Sequence, residues 1–78
     1  MRLLLVEDDA PLATSLAESL RLGGYAVDWV NQGGQADAAV AVGDFDAIVL
    51  DLNLPDTDGL TLLRRWRDRG VQIGRAHV

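Results

Sequence analysis

The 78-residue sequence contains no cysteine and no lysine; its seven basic residues are all arginine. Without cysteine there is no disulfide, no thiolate nucleophile and no zinc–thiolate site. Without lysine there is no P-loop, no Schiff base and no ammonium for a site to use. Long apolar runs are missing too. The longest near the N-terminus is Leu3–Val6, far short of the roughly 20 residues of a membrane span. No basic segment leads into a cleavable apolar stretch, so the expected location is the cytoplasm, with no membrane partner. Basic charge is scarce against twelve acidic residues, and the net charge of −5 argues against this segment itself gripping nucleic acid. What remains, 49% hydrophobic and 24% charged, is the balance of a globular chain. A chain of this length is a single small domain that buries about 60–65% of its unfolded surface.

Apolar runs and turn signals alternate along the chain. Leu3-Leu4-Leu5-Val6 is apolar without alternation, as in a central parallel strand covered on both faces. Pro11 suits the first turn of a helix, with Asp9 as its cap. Leu12, Leu16 and Leu20, flanked by Ala13 and Ala17, mark the expected inner face, and Gly23-Gly24 stops the helix. Tyr25–Val30 reads as a second strand, and Asp28 within it favours an edge position. Asn31 and Gln32 open an alanine-rich helix to about Val42, ended by Gly43-Asp44. Ala47–Leu50 is a third, again continuously apolar, strand. An acidic loop from Asp51 to Asp58 follows, and then a helix over Gly59–Arg69 with Leu60, Leu63 and Trp66 expected on its inner side. Arg64, Arg65, Arg67 and Arg69 near its C-terminal end read as a solvated face. The pattern βαβαβα with short connections predicts an α/β, doubly wound parallel sheet in the order 2-1-3. Its ligand crevice lies at the carboxyl ends of strands 1 and 3.

Acidic residues stand at those two ends. Glu7-Asp8-Asp9 follows strand 1 and Asp51 follows strand 3, so Glu7, Asp8 and Asp51 are expected to converge. Clustered carboxylates repel one another unless a cation neutralises them. Hard oxygen ligands with open positions suit Mg²⁺, which takes one or two carboxylates, water and a phosphate oxygen. Asp9, Asp56 and Asp58 read instead as helix-capping or solubilising residues.

Leu5-Val6-Glu7-Asp8-Asp9 and Val49-Leu50-Asp51-Leu52-Asn53-Leu54-Pro55-Asp56-Thr57-Asp58-Gly59 resemble the two signature segments of bacterial response-regulator receiver domains. The Glu7-Asp8 form of the acidic pair, together with Tyr25-Ala26-Val27-Asp28-Trp29-Val30, is most similar to the OmpR-like class, in which a receiver precedes a winged-helix DNA-binding domain. The resemblance implies a flavodoxin-like receiver fold and covers about residues 1–72. By position it implies that Asp51 is the phosphoacceptor and that Asp8 binds Mg²⁺. Glu7 is then the second acid, acting through metal-bound water, and Asn53 lends its backbone carbonyl to the metal. Pro55 and Gly59 shape the loop. It further implies a phosphoacceptor module rather than an enzyme, whose partner is a sensor histidine kinase and whose output is control of transcription.

The departures from that pattern carry their own expectations. Three of the family's five βα units are present. The Ser/Thr of the fourth strand, the Lys of the fifth and the aromatic switch residue are not. The face through which such regulators form a homodimer, built from the fourth and fifth helices and the fifth strand, is missing, as is the winged helix that would bind DNA. The chain therefore reads as the N-terminal three-fifths of a receiver over residues 1–72, followed by a non-native tail at residues 73–78. One coding of Ile73-Gly74-Arg75-Ala76-His77-Val78 resembles a sequencing-adapter oligonucleotide, so His77 receives no catalytic role. A truncated chain without activity is the serious alternative. A haloacid-dehalogenase-like phosphotransferase would need an acid at the position of Asn53. An EF-hand is excluded by Pro55 and Asp56, which fall at its third-ligand and obligatory glycine positions.

Overall fold

The computed structural model describes residues 1–51 and 54–70. Asn53, and the segment 73–78 expected to be a foreign tail, lie outside the described residues. Three strands alternate with three helices: β1 (Arg2–Val6), α1 (Ala10–Leu22), β2 (Ala26–Val30), α2 (Gly33–Val42), β3 (Ala47–Leu50) and α3 (Gly59–Asp68). The strands form one parallel sheet in the order β2-β1-β3, as the sequence predicts. Leu5 lies opposite Trp29 and Val49, and Val6 opposite Val30 and Leu50.

The continuous apolar runs of β1 and β3 are explained by cover on both faces. Leu3, Leu5, Val27 and Ala47 pack under Ala13 and Ala17 of α1. Leu4, Val6, Ile48 and Leu50 point the other way, into a larger cluster with Ala36, Leu54, Leu62 and Trp66 from α2, α3 and the loop before α3. Asp28 marks β2 as an edge strand, and its carboxylate accepts from Arg2 Nη2 at 2.7 Å. Both side chains are about half exposed, so the pair stabilises little.

Helix starts follow the sequence closely. Asp9 Oδ1 accepts from the Leu12 amide at 3.1 Å, with Pro11 in the first turn of α1. Asp58 Oδ1 accepts from the Leu60 amide at 3.1 Å. Gly24 closes α1 with φ of 94°, a conformation that favours glycine. The inner faces differ from expectation in two helices. In α1 only Leu12 leaves the expected inner face, being 47% exposed; Leu16 and Leu20 are half-buried against the core, and Ala13 and Ala17 are the fully buried residues. Small side chains let the helix approach the strands closely, and Leu16 and Leu20 flank that contact. In α3, Leu62 replaces Leu60 on the inner side; Leu60 is 44% exposed, whereas Trp66 is buried as expected.

The start of α2 shows how the loop before α3 is held. Gln32 makes no side-chain cap. Asp56 supplies it from across the fold, its two carboxylate oxygens accepting from the amides of Gly33 at 2.7 Å and Gly34 at 2.9 Å. Those bonds hold the Asp56 carboxyl below the ordinary aspartate value. A Cβ at Gly33 would run into Thr57 Cγ2 and lie 3.1 Å from Leu62 Cδ1. Gly33→Ala is therefore expected to destabilise the fold by about 1–3 kcal/mol, the typical effect of overpacking. Urea unfolding of both forms measures this, and an unchanged midpoint would show that Thr57 gives way freely.

Candidate functional site

Backbone hydrogen bonds carry the sheet one residue past its strands. The Glu7 amide donates to the Val30 carbonyl at 3.1 Å, and the Asp51 amide donates to the Val6 carbonyl at 2.9 Å. Glu7 and Asp51 are thereby fixed side by side at the carboxyl end of β1 and β3, and Asp8 follows at once. Ligand oxygens of Glu7, Asp8 and Asp51 all lie within 4.8 Å of one another. The convergence expected from the sequence is present for all three. Asn53 lies outside the described residues.

Their surroundings differ. Glu7 is buried, at 9% exposure, Asp51 is half-buried and Asp8 is exposed. Burial pushes the Glu7 carboxyl above the ordinary glutamate value. The Asp9 amide, donating to Glu7 Oε1 at 3.4 Å, pulls it partly back. The charges of Asp51 and Asp8, with a side-chain hydrogen bond to Asp51, push it up again. A cation in the cluster would reverse that repulsion. The donor set is all hard oxygen, with one buried and one exposed carboxylate flanking a half-buried one. That fits Mg²⁺, which binds through few carboxylates and keeps positions open for water and a phosphate oxygen.

Other acids take the structural roles expected of them: Asp9 and Asp58 cap their own helices, and Asp56 caps α2. Two contributions escaped the sequence. Trp29 on β2 donates its indole N–H to the Glu7 carbonyl at 2.8 Å. Asp37 on α2 receives the Trp66 indole N–H at 3.1 Å, Arg69 Nη1 at 3.0 Å and Arg65 Nη1 at 3.3 Å. Arg65 and Arg69 are thus paired rather than merely solvated. Both contacts join residues more than 20 positions apart, where no periodicity or short motif records them.

A doubly wound parallel sheet bearing a carboxylate cluster at the ends of its two adjoining strands defines an α/β domain of the flavodoxin-like receiver class. The chain belongs to the response regulator receiver domain family, whose sequence profile matches residues 3–76. Among characterised relatives, the transcriptional regulatory protein QseB of Escherichia coli is 43% identical over 70 residues, covering 90% of this chain and 32% of that protein. The response regulator protein PmrA of Pseudomonas aeruginosa is 44% identical over 71 residues, covering 91% of this chain and 32% of that protein. These relatives are regulators of the OmpR-like class that the acidic pair and the Tyr25–Val30 segment indicate. The chain spans about a third of the length of the curated relatives it matches. Among solved structures, the response regulator TrrA of Thermotoga maritima, in complex with Mg²⁺ and a beryllium fluoride, superposes with a TM-score of 0.84 at 29% identity. That match covers 87% of this chain and 59% of TrrA. TrrA has also been solved in complex with the histidine kinase ThkA. Among the described residues, no helix is long and apolar enough to cross a membrane.

Proposed function

We propose that this chain is the receiver segment of a cytoplasmic two-component response regulator that controls transcription, and that Asp51 accepts a phosphoryl group from a sensor histidine kinase. The observation that carries this reading is the convergence of Glu7, Asp8 and Asp51 within 4.8 Å at the ends of two adjacent parallel strands. Membership of the receiver family supports it, as do relatives named as transcriptional regulators. DNA binding and homodimer formation belong, in this reading, to parts of the regulator outside these residues.

Asp8, Asp51 and the Asn53 carbonyl are the proposed Mg²⁺ ligands, with Glu7 acting through a bound water. Mg²⁺ held there supplies positive charge between two anions that would otherwise repel, the acceptor carboxylate and the incoming phosphoryl group. The Asp51 oxygen attacks phosphorus in line; the new O–P bond forms as the P–N bond to the donor histidine breaks, and the electron pair leaves with the imidazole. The Asp51 amide, bound to the Val6 carbonyl, keeps the acceptor at the strand end. Glu7 is buried beside it, with a carboxylate oxygen within 4.8 Å of those of Asp8 and Asp51.

The test is acyl-phosphate formation from acetyl phosphate and Mg²⁺, read by intact-mass spectrometry as a gain of one phosphoryl group. The sequence has no lysine to pair with the transferred phosphoryl oxygens, so the 78 residues alone are expected to gain little. A chimera in which residues 1–72 are followed by the last two βα units of the QseB receiver is expected to be labelled, and Asp51→Asn in that chimera to abolish labelling. Labelling that survives Asp51→Asn would overturn Asp51 as acceptor; robust labelling of the 78 residues would show that the lysine is dispensable.

A further inference from the structure

We propose that Trp29 is a positioning residue of the carboxylate site: its indole N–H fixes the Glu7–Asp8 peptide and so aims the Asp8 carboxylate. The inference rests on the reading of Asp8 as a Mg²⁺ ligand. The two ends of Glu7 are held by the same strand. Its amide donates to the Val30 carbonyl at 3.1 Å, and its carbonyl accepts from Trp29 Nε1 at 2.8 Å. The carbonyl of Glu7 and the amide of Asp8 share one planar peptide. A donor on that carbonyl therefore sets the orientation in which the chain enters Asp8.

Asp8 is the member of the cluster that needs such a device. Glu7 is buried and Asp51 is half-buried, but Asp8 is exposed. Its direction is inherited from the backbone. Trp29 lies opposite Leu5 in the β1–β2 register, on the α1 face of the sheet and two residues before Glu7. From there the long indole reaches past the strand end, which a shorter side chain could not do. The ring is 40% exposed. Its burial alone gives a weaker reason for a large aromatic on an edge strand than its bond does. Groups that orient metal ligands without touching the metal typically change metal affinity by 10–100-fold when removed.

The experiment must separate the N–H from the ring. Total synthesis of the 78-residue chain allows Trp29 to be replaced by β-(3-benzothienyl)alanine, which keeps the shape and apolar area of the indole and lacks the donor. Mg²⁺ affinity is measured by calorimetry for the parent, the isostere and Asp8→Asn, and urea unfolding is measured for each in EDTA. The isostere is expected to bind Mg²⁺ about tenfold more weakly, with its metal-free midpoint lowered only slightly, by the loss of one hydrogen bond. A purely structural tryptophan would lower the midpoint and leave Mg²⁺ affinity unchanged, and that result overturns the proposal. A parent and Asp8→Asn of equal affinity would overturn the metal site itself, a distinct pattern. In the QseB chimera, Trp29→Phe gives a second reading: the Mg²⁺ concentration for half-maximal labelling should rise about tenfold, while labelling at saturating Mg²⁺ is unchanged. Equal Mg²⁺ dependence of the two chimeras would also overturn the proposal.

Discussion

Trp66→Ala is expected to move the urea midpoint of the fold far below the parent's. The side chain is fully buried and sits in the larger of the two cores, among Leu4, Val6, Ala36, Ile48, Leu50, Leu54 and Leu62. It is the largest of the fully buried side chains, and it joins α3 to α2 and to the sheet. Truncating a buried tryptophan to alanine costs about 3–5 kcal/mol, the sum of lost transfer energy and the cavity left behind. A domain of this length has about 4–12 kcal/mol of stability in total, so that loss removes a large share or all of it. Trp66→Phe keeps most of the volume but drops the indole N–H, and should lose about 1–3 kcal/mol. Far-UV circular dichroism in a urea series reads both variants. An alanine variant with a midpoint close to the parent's would show that the α2–α3 side of the sheet collapses around the gap, and that this core is loosely packed.

The difference between what the sequence reveals and what it hides follows from the range of each interaction. β1 and β3 are legible because four consecutive apolar residues can be satisfied only by cover on both faces, and the two clusters on opposite sides of the sheet provide it. Asp28 betrays the edge strand because a charge in mid-strand needs water. Asp9 and Asp58 are legible as caps because a cap and its amide lie within three residues. The carboxylate cluster is legible for a different reason: strand order alone carries the ends of β1 and β3 together, so Glu7, Asp8 and Asp51 need no contact information to be placed. Helix faces fail where two stripes compete. Leu12 and Leu60 belong to apolar stripes, but α1 docks through Ala13 and Ala17 with Leu16 and Leu20 beside them, and α3 through Leu62 and Trp66. The choice depends on how closely each helix can approach the sheet, which is a property of the partner surface. Asp37, Asp56 and Trp29 act across 22 to 32 positions of chain. Nothing local distinguishes Asp37 from any solvated acid on an alanine-rich helix.

Asp37 therefore offers the second large effect, and one with a pH signature. Its carboxylate is the meeting point of α2 and α3, accepting from the buried Trp66 indole and from Arg69 and Arg65. Asp37→Ala leaves the Trp66 N–H buried without its partner, which costs about 1–3 kcal/mol. The two half-exposed arginine pairs add only about 0.2–1 kcal/mol each. Asp37→Asn keeps an acceptor oxygen for the indole and removes the charge, so it should lose distinctly less than Asp37→Ala. Burial by itself would raise the Asp37 carboxyl, but the Trp66 hydrogen bond and the two arginines outweigh it and hold the group below the ordinary value of 3.8. A carboxylate with a depressed folded pKa stabilises the fold above its unfolded pKa, and that contribution is lost as pH falls through the folded value. Asp56 acts in the same direction. Glu7, raised above 4.5, acts oppositely, since its preference for the proton favours the fold below that pH and is lost as pH rises. Subtracting the Asp37→Asn curve from the parent's, both in EDTA, cancels Glu7 and Asp56 and isolates Asp37. The difference should be constant from neutral pH down to about 4 and should shrink steadily below 3.8. Urea midpoints measured from pH 7 to pH 2.5 supply both curves. A gap that stays constant to the acid limit would mean that the Asp37 charge does not hold α2 to α3.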